Sequence, residues 1–408
     1  MRIAALSGWT NQQRSVVIAS FLGWTLDAFD FFLLVFVLKD IAREFGTDIK
    51  EVTVAILLTL ALRPVGAYLF GRAADHWGRR PVLIVNVMLY SILEFLSAFS
   101  PTLTVLLILR ALYGIAMGGE WGVGASLTME SIPPHARGFV SGLLQSGYPT
   151  GYLLASIVYG LLFPIIGWRG MFMVGVLPAL LVLYIRRNVP ESPSWRRSTE
   201  SNTVSILRAH WRLGLYAVVL MTAFNFLSHG TQDLYPTFLE VQHEFSPQAV
   251  GAIAVIYNLG AILGGILCGS LSELMGRRRT IILASLLCLP VLPLWAFSSS
   301  AATLALGAFL MQFMVQGAWG VIPVHLNELS PDQARGTFPG FVYQLGNLLA
   351  SANATIQAAL AVYFGNNYGL ALALVAGTMA IAICIMTSLG IEAKGVAFGT
   401  AHRQPAAA

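Results

Sequence analysis

Three side chains that could bind an anion or hold a proton recur every four residues in the segment NFLSHGTQDLYPT, residues 225–237. Asn225, His229 and Asp233 would share one face of a helix, because residues i and i+4 lie above one another there. Histidine is the side chain whose unperturbed pKa lies nearest neutrality, and a carboxylate four residues further on could orient the ring and hold its proton. The spacing predicts a polar, functional face; the alternative is a satisfied histidine in helix packing.

The composition predicts the medium around that face. Of 408 residues, 56% are hydrophobic and only 11% are charged, whereas a soluble domain carries about 25% charged residues. So few charges cannot cover a water-facing surface of ordinary size, and we expect an integral membrane protein. Cys268, Cys288 and Cys384 all fall in apolar segments, which argues against a disulfide framework. We expect a first membrane span near the N-terminus rather than a cleavable signal peptide.

Twelve apolar runs are long enough to cross the hydrocarbon, which takes about 20 residues. We expect these spans at roughly 15–38, 51–71, 81–100, 103–127, 138–162, 168–187, 212–236, 248–270, 279–299, 301–325, 337–360 and 368–390. The longest polar stretch lies between spans 6 and 7. The predicted units are an N-terminal six-helix half (1–187), a cytoplasmic linker (188–211), a C-terminal six-helix half (212–392) and a cytoplasmic tail (393–408).

The distribution of lysine and arginine predicts the orientation. If the N-terminus is cytoplasmic, 18 of the 24 basic residues fall on the cytoplasmic side, 4 fall outside, and Arg63 and Arg110 fall within spans. Basic residues concentrate in cytoplasmic loops. We therefore expect both termini in the cytoplasm, and a multi-pass protein of a bacterial inner (cytoplasmic) membrane.

The two halves repeat one another at a constant offset of 198 residues. The recurring pairs are Gly71 and Gly269, Asp75 and Glu273, Gly78 and Gly276, Arg79 and Arg277, Arg80 and Arg278, Gly119 and Gly317, Trp121 and Trp319, Glu130 and Glu328, Pro133 and Pro331, Arg137 and Arg335, and Gly138 and Gly336. Chance does not hold one offset across three separated motifs. Two parallel six-helix repeats are typical of transporters that work by alternating access.

Two motifs resemble those of the major facilitator superfamily. GRAADHWGRR (71–80) is similar to its signature G-x3-D-x2-G-R-R, and RALYGIAMGGEWG (110–122) is similar to its fourth-helix signature, which opens with arginine. Residues 225–237 resemble the seventh-helix signature N-x2-S-H-x-S-Q-D-x3-T of the fungal lactate permeases, a group within the sialate:proton symporters. Thr231 stands where that group usually has serine.

The resemblance implies an all-α membrane protein with twelve transmembrane helices in two six-helix halves, the major facilitator fold. It also implies that His229 and Asp233 matter to proton coupling and substrate transfer. The bacterial sialate branch typically has two extra spans, whereas 408 residues leave room for twelve only. That length favours the monocarboxylate branch.

Ionisable residues within the spans are the other candidates for proton coupling. A charge at the bilayer centre costs at least about 2.5–3.5 kcal/mol on insertion scales, so such residues usually face the bundle interior and act there. Asp27 and Asp30 of span 1 occupy the repeat positions of Asn225 and Ser228, so both halves are expected to present polar groups to one midplane cavity. The predicted proton-coupling residues are Asp27, Asp30, Glu120, His229 and Asp233. One span-1 carboxylate could instead be structural, and so could Glu120.

A carboxylate substrate needs a cationic partner, and a guanidinium can bind it through two parallel hydrogen bonds. Arg63 is the preferred partner, although it could instead neutralise Asp27 or Asp30. Arg110 is the second candidate, and it could instead pack against the backbone or against an acid in a structural role. The predicted substrate site comprises Arg63, Arg110, Asn225, Gln232, Gln145, Tyr148, Asn258, Tyr343 and Asn347. About half of the neutral members could instead bridge helices.

The repeated loop motifs lie at helix ends, away from this site. An acid there can complement a helix N-terminus and pair with arginines of the adjoining loop. The predicted conformational gate comprises Asp75, Arg79, Arg80, Arg137, Glu273, Arg277 and Arg335. We expect these contacts to form in one state of the protein and to break in the other.

The sequence contains no Walker A motif, zinc-ligand spacing, dinucleotide-binding turn or catalytic triad, so we expect no cofactor, metal, nucleic-acid partner or enzymatic activity. The hypothesis is a secondary active transporter that carries a small monocarboxylate such as lactate or pyruvate with a proton, as a monomer. The alternatives are another organic anion, such as sialate or an aromatic acid, and a membrane ligand sensor. The short tails leave a sensor no room for an output domain.

Overall fold

The computed structural model describes residues 8–195 and 203–398. Parts of the predicted linker (196–202) and tail (399–408) lie outside the described residues. The described chain contains no β-strand. Its α-helices are α1 (Asn11–Phe45), α2 (Ile49–Trp77), α3 (Arg79–Ser97), α4 (Leu103–Ser131), α5 (Arg137–Gln145), α6 (Gly147–Val174), α7 (Ala179–Asn188), α8 (Thr203–Ala209), α9 (Trp211–Gln232), α10 (Tyr235–Val241), α11 (Pro247–Met275), α12 (Arg277–Ala296), α13 (Ala301–Leu329), α14 (Phe338–Ala350), α15 (Asn353–Tyr363) and α16 (Tyr368–Leu389).

Eleven helical segments of the described chain are long and apolar enough to cross a membrane. One of them, Pro134–Asn188, has 55 residues, which as a straight helix would measure about 80 Å, far more than the hydrocarbon thickness of about 30 Å. Gly167 interrupts it with a φ of 63°, a conformation that glycine adopts without a Cβ clash. Both ends of the segment lie at the same end of the bundle, because Gly138 contacts Glu273 and the carbonyl of Arg186 contacts Arg80. The segment therefore crosses twice, which gives the twelve crossings that the sequence predicts.

Two spans of the C-terminal half are each divided into two helices. The seventh span consists of α9 and α10, separated at Asp233 and Leu234, with Pro236 at the second position of α10. Proline lacks the backbone N–H that would continue the helix. The eleventh span consists of α14 and α15, separated at Ser351 and Ala352. The first break places the Asp233 side chain at the end of a helix, beside a central pocket.

The halves approach each other closely at the end of the bundle that carries residues 71–80 and 269–279, which we call the motif end. Gly122 of α4 lies against Gly340 of α14 there, and a Cβ added at Gly122 would lie 2.7 Å from the Cα atom of Gly340. Only glycine allows two helix backbones to approach so closely. Two hydrogen bonds between the halves lie nearby: the hydroxyl of Ser126 donates to the carbonyl of Arg335, and the N–H of Val324 donates to the hydroxyl of Ser141. The bundle is closed at this end.

Candidate functional site

A pocket of about 60 Å³ lies between the two halves. Eight of the predicted site residues line it: Arg63, Gln145, Tyr148, Asn225, His229, Gln232, Tyr343 and Asn347. Six further residues line it. Trp24, Phe31, Leu60 and Trp319 were not predicted, Ser228 is the repeat counterpart of Asp30 and was expected at the midplane cavity, and Gln316 is a polar residue that the sequence offers as a neutral candidate in span 10. The repeat could have indicated Trp319, because its counterpart Trp121 stands in the fourth-helix motif. Asp233 borders the pocket through His229 and is 39% exposed, so the pocket opens towards the end of the bundle opposite the motif end.

Arg63 is the cation of this pocket. Pro64 follows it within α2, and its side chain is only 3% exposed. Its guanidinium contacts the sulfur of Met117 at 2.6 Å and the ring of Phe31 at 5.3 Å from the ring centre. Its Nε atom has no hydrogen-bond partner, and among the described residues no carboxylate lies within ion-pair distance of it. The alternative in which Asp27 or Asp30 neutralises Arg63 directly is therefore not observed in this state. The guanidinium retains N–H groups that could donate hydrogen bonds to a ligand.

His229 lies on the opposite wall of the pocket, between two oxygen atoms. Its Nδ1 atom lies 3.2 Å from Oδ1 of Asp233, and its Nε2 atom lies 3.2 Å from Oδ1 of Asn347. Both neighbours as oriented are acceptors, so this arrangement is satisfied by a ring that carries a proton on each nitrogen. Rotating the Asn347 amide by half a turn would present a donor to a neutral ring instead. The ring can therefore be satisfied in both protonation states.

Neutral amides form much of the polar part of the C-terminal wall, and hydrogen bonds to other side chains of that half hold them in place. Gln232 donates to the side-chain oxygen of Gln312 at 2.8 Å, and Gln312 donates to the hydroxyl of Thr231 at 2.9 Å. Gln316 donates to the hydroxyl of Ser228 at 3.0 Å. Each amide bonded in this way is fixed in orientation, which leaves its remaining polar atoms available to a ligand.

Several acids of the N-terminal half lie behind this pocket in the helix bundle. Asp27 and Asp30 are completely buried, and neither carboxylate has a hydrogen-bond partner. Glu94 and Arg110 form a fully buried ion pair at 2.6 Å. Glu120 is 1% exposed, and its Oε2 atom is unpartnered. The structure thus gathers the predicted proton-coupling acids of spans 1 and 4 in one buried region, separate from the lining of the pocket.

Two predicted substrate-binding residues are not brought to the pocket. Arg110 is occupied by Glu94 and packs against the rings of Tyr113 and Phe172. This is the alternative in which that arginine pairs with an acid, and it also gives Glu94 its partner. Asn258 donates to the backbone carbonyl four residues before it in α11, at 2.8 Å, and does not line the pocket. The geometry gives neither residue a contact with a ligand in this state.

One flank of the motif end is joined through Asp75. Its carboxylate accepts hydrogen bonds from the backbone N–H of Gly336 at 2.8 Å and from the hydroxyl of Thr337 at 2.5 Å, both in the other half. Within its own half it pairs with Arg79 at 3.1 Å. Arg79 also pairs with Glu130 at 3.2 Å. An acid at the end of α2 thus binds the start of α14, where the unpaired N–H groups of a helix attract negative charge.

The other flank repeats this arrangement with the roles of the halves exchanged. Glu273 accepts a hydrogen bond from the backbone N–H of Gly138 at 2.6 Å. Within its own half it pairs with Arg277 at 2.8 Å, and Arg277 pairs with Glu328 at 2.9 Å. The replacement of aspartate by glutamate in the second repeat therefore does not prevent the contact.

Two longer ion pairs cross between the halves at the same end. Arg137 lies 3.8 Å from Glu328, and Arg335 lies 3.7 Å from Glu130. Arg80 differs from the other predicted gate residues, because it donates to a backbone carbonyl of α7 in its own half. The predicted gate residues other than Arg80 thus form contacts within or between the two flanks that close the motif end.

Comparison with known proteins agrees with this architecture. The sequence model of the Major Facilitator Superfamily matches residues 20–246 and 218–405. A carboxylic acid transporter protein homolog of Saccharomyces cerevisiae is 32% identical over 88% of this chain, and the alignment spans 63% of the yeast protein's length. The sialic acid transporter NanX of Escherichia coli is 27% identical over 95% of this chain and 97% of its own.

The fold is that of a solved transporter. The structure of the proton:xylose symporter XylE superposes with a TM-score of 0.78, at 18% identity, over 93% of this chain and 95% of that chain. The family model matches almost the whole chain, in two overlapping segments. The protein is a multi-pass membrane transporter, not an enzyme, and belongs to the Major Facilitator Superfamily.

Proposed function

We propose that the protein takes up a small monocarboxylate, such as lactate or pyruvate, together with a proton, across the inner membrane of a bacterium. The observation that carries this proposal is the state of Arg63. It is a buried guanidinium in the pocket between the halves, with an unpartnered Nε atom and no ion pair among the described residues. A carboxylate is the partner that its planar fork of donors fits. The yeast relative is named as a homolog of a carboxylic acid transporter.

Proton coupling is supported by the imbalance of charge in the N-terminal half. Four buried acids, Asp27, Asp30, Glu94 and Glu120, share that region with Arg110 and with Arg63 at its edge. An isolated ionised carboxylate without a hydrogen bond is costly in such surroundings, and it takes up a proton instead. Glu94 pairs with Arg110, whereas Asp27, Asp30 and Glu120 have no cation within ion-pair distance among the described residues; we propose that these three acids hold protons in this closed arrangement and release them where water enters.

His229 and Asp233 provide a second place for the proton, at the entrance to the pocket. The contact of His229 with Asn347 links the protonation of the ring to an amide that can also bind substrate. When the anion and the proton are both bound, their charges are neutralised and closing the site in low dielectric costs less. The uptake of the anion is then coupled to that of the proton, because the site closes more readily with both bound than with either alone.

The transport cycle that we propose alternates between two closures of the same pocket. In this structure the Asp75 and Glu273 contacts close the motif end and the pocket opens at the other end. The basic loops at the motif end favour a cytoplasmic location for it, which makes this the outward-facing state. Rocking of the two halves would break both flanks and release the substrate into the cytoplasm. A single chain contains every group in this cycle, and we propose that the monomer is functional.

The direct test is uptake of labelled lactate by proteoliposomes that contain the purified protein. We expect accumulation when the outside is acidic, and only equilibration without a pH gradient. His229→Ala and Asp233→Asn should abolish accumulation, whereas Glu240→Gln, an exposed acid on the same span, should not. Lactate accumulation that ignores the imposed gradient would show that the symport proposal is wrong.

The aromatic lining of the pocket supports a second candidate substrate class, the aromatic acids. Five rings line it: Trp24, Phe31, Tyr148, Trp319 and Tyr343. A flat, unsaturated acid could stack on these rings with its carboxylate on Arg63. Competition of benzoate, nicotinate, sialate and pyruvate against labelled lactate would rank the classes. Stronger competition by the aromatic acids than by pyruvate would replace the first assignment.

A further inference from the structure

The chain continues beyond the last span as a segment that lies across the motif end. We call residues 392–398 the tail strap. The Glu392 carboxylate accepts hydrogen bonds from the backbone N–H groups of Arg277, at 3.2 Å, and Arg278, at 3.0 Å, at the start of α12. The amino group of Lys394 donates to the backbone carbonyl of Glu273. These contacts attach the first part of the strap to the C-terminal half.

The end of the strap lies between the two halves. The ring of Phe398 is 9% exposed, with the guanidinium carbon of Arg137 3.6 Å from its centre and that of Arg335 3.9 Å from its centre. Arg137 also donates to the backbone carbonyl of Val396 at 2.8 Å. Arg137 belongs to the N-terminal half and Arg335 to the C-terminal half. One ring therefore holds two arginines that are repeat counterparts in opposite halves.

We propose that Phe398 is a positioning residue of the gate, which holds the motif end closed by binding Arg137 and Arg335 at once. Two guanidinium groups repel each other, and the negative faces of one aromatic ring attract both. Each arginine also forms one long ion pair with an acid of the opposite half, Arg137 with Glu328 at 3.8 Å and Arg335 with Glu130 at 3.7 Å, but neither of these acids pairs with both arginines. When the halves separate at this end, the ring cannot keep both contacts, so the strap stabilises the closed state relative to the open one.

The segment that follows the sixth span, residues 191–195, is the counterpart of the tail strap in the N-terminal half. It caps a helix in the same way but does not connect the two halves by a ring. Glu191 accepts hydrogen bonds from the N–H groups of Arg79 and Arg80 at the start of α3, as Glu392 does at the start of α12. Trp195 then donates to the backbone carbonyl of Asp75, in its own half. Up to that residue the segment places no ring between the halves. Both segments cap the start of a helix. Of the two, within the described residues, only the tail strap places a ring between the halves.

Hydrogen exchange of the full-length protein in nanodiscs tests this proposal and needs no substrate. The backbone N–H groups of Gly138 and Gly336 are protected by Glu273 and Asp75 of the opposite half, so their exchange rates report the population that is open at the motif end. Phe398→Leu keeps apolar bulk and removes the aromatic faces. We expect about tenfold faster exchange at both amides in this variant. Phe398→Tyr should exchange like the wild type.

The matched control is Phe297→Leu, which changes a 55% exposed ring and should leave both amides unaffected. Unchanged exchange at Gly138 and Gly336 in Phe398→Leu would overturn the proposal. Faster exchange confined to the capped amides of Arg277 and Arg278 would also overturn it, because Phe398 would then act only locally. A general rise that includes the middle of α4 would mean loss of packing and would count against the proposal as well. Failure of lactate uptake would leave this test unaffected.

Discussion

Replacing Arg63 by glutamine removes a permanent positive charge from the pocket lining while keeping a polar side chain. The guanidinium is buried, lacks an acidic partner among the described residues and has an unpartnered Nε atom. Arg63→Gln should therefore weaken substrate binding without leaving an acid that was ion-paired. Arg63 contacts Met117 and Phe31, and the loss of these two contacts should change the stability of the protein little.

The expected magnitude follows from the number of charged hydrogen bonds that Arg63 can offer. Each hydrogen bond to a charged group contributes about 1.5–3 kcal/mol, and a bidentate fork supplies two. Glutamine returns one neutral hydrogen bond, about 1 kcal/mol. The net loss is about 2–5 kcal/mol, which corresponds to an increase in Kd of about 30- to 5000-fold. Arg63→Lys keeps the positive charge but loses the planar pair of donors, so its Kd should lie between that of the wild type and that of Arg63→Gln.

Binding of lactate to purified protein by calorimetry or thermal shift measures this directly, and the KM of uptake provides a second value. Arg43→Gln changes an exposed arginine on the last turn of α1 and should leave Kd unchanged. A Kd of Arg63→Gln within about threefold of the wild-type value would refute the reasoning, because the carboxylate would then bind elsewhere in the pocket.

Three other substitutions test separate parts of the structure. Asp75→Asn should weaken the contacts with the start of α14 by about 1.5–3 kcal/mol, and spin labels across the motif end should report a larger open population; an unchanged distance distribution would argue against a gate there. Glu94→Gln leaves Arg110 buried without its counter-charge and should lower the free energy of unfolding by about 3–5 kcal/mol, measured by thermal unfolding in detergent; wild-type stability would contradict this. Gly122→Val should stop uptake by preventing the close approach to Gly340, with the melting temperature retained, and normal uptake would show that the approach is not required.

The repeated features were the most predictable from the sequence. The offset of 198 residues paired Asp75 with Glu273, and the structure gives both the same kind of contact with the opposite half. The spacing of four residues placed His229 and Asp233 together, and they lie 3.2 Å apart. Both predictions depended on local geometry or on internal symmetry, which one sequence contains in full.

Contacts between helices of unrelated position were not predictable in the same way. Glu94 and Arg110 are 16 residues apart and meet because α3 and α4 pack in one particular register, which the hydrophobic pattern of two apolar helices does not specify. The position of Trp24 and Phe31 in the pocket was not predictable for the same reason, because an aromatic residue in an apolar helix is as readily expected in helix packing. Phe398 lies beyond the last apolar span, in a stretch too short for a hydrophobic pattern to predict its burial.

The two walls of the pocket differ in chemical character although they descend from one repeated design. In the N-terminal half, buried acids such as Asp27 lie behind the pocket and Arg63 lines it, whereas the polar side chains of the C-terminal wall include amides such as Gln312 and Gln316. A transmembrane voltage exerts force only on net charge. The electrical work of the cycle should therefore be done on the acids and arginines of the N-terminal half and on the His229–Asp233 pair, while the amides of spans 10 and 11 contribute little. Gating currents, if recorded, should respond to substitutions in spans 1 to 4 far more than to those in spans 10 and 11.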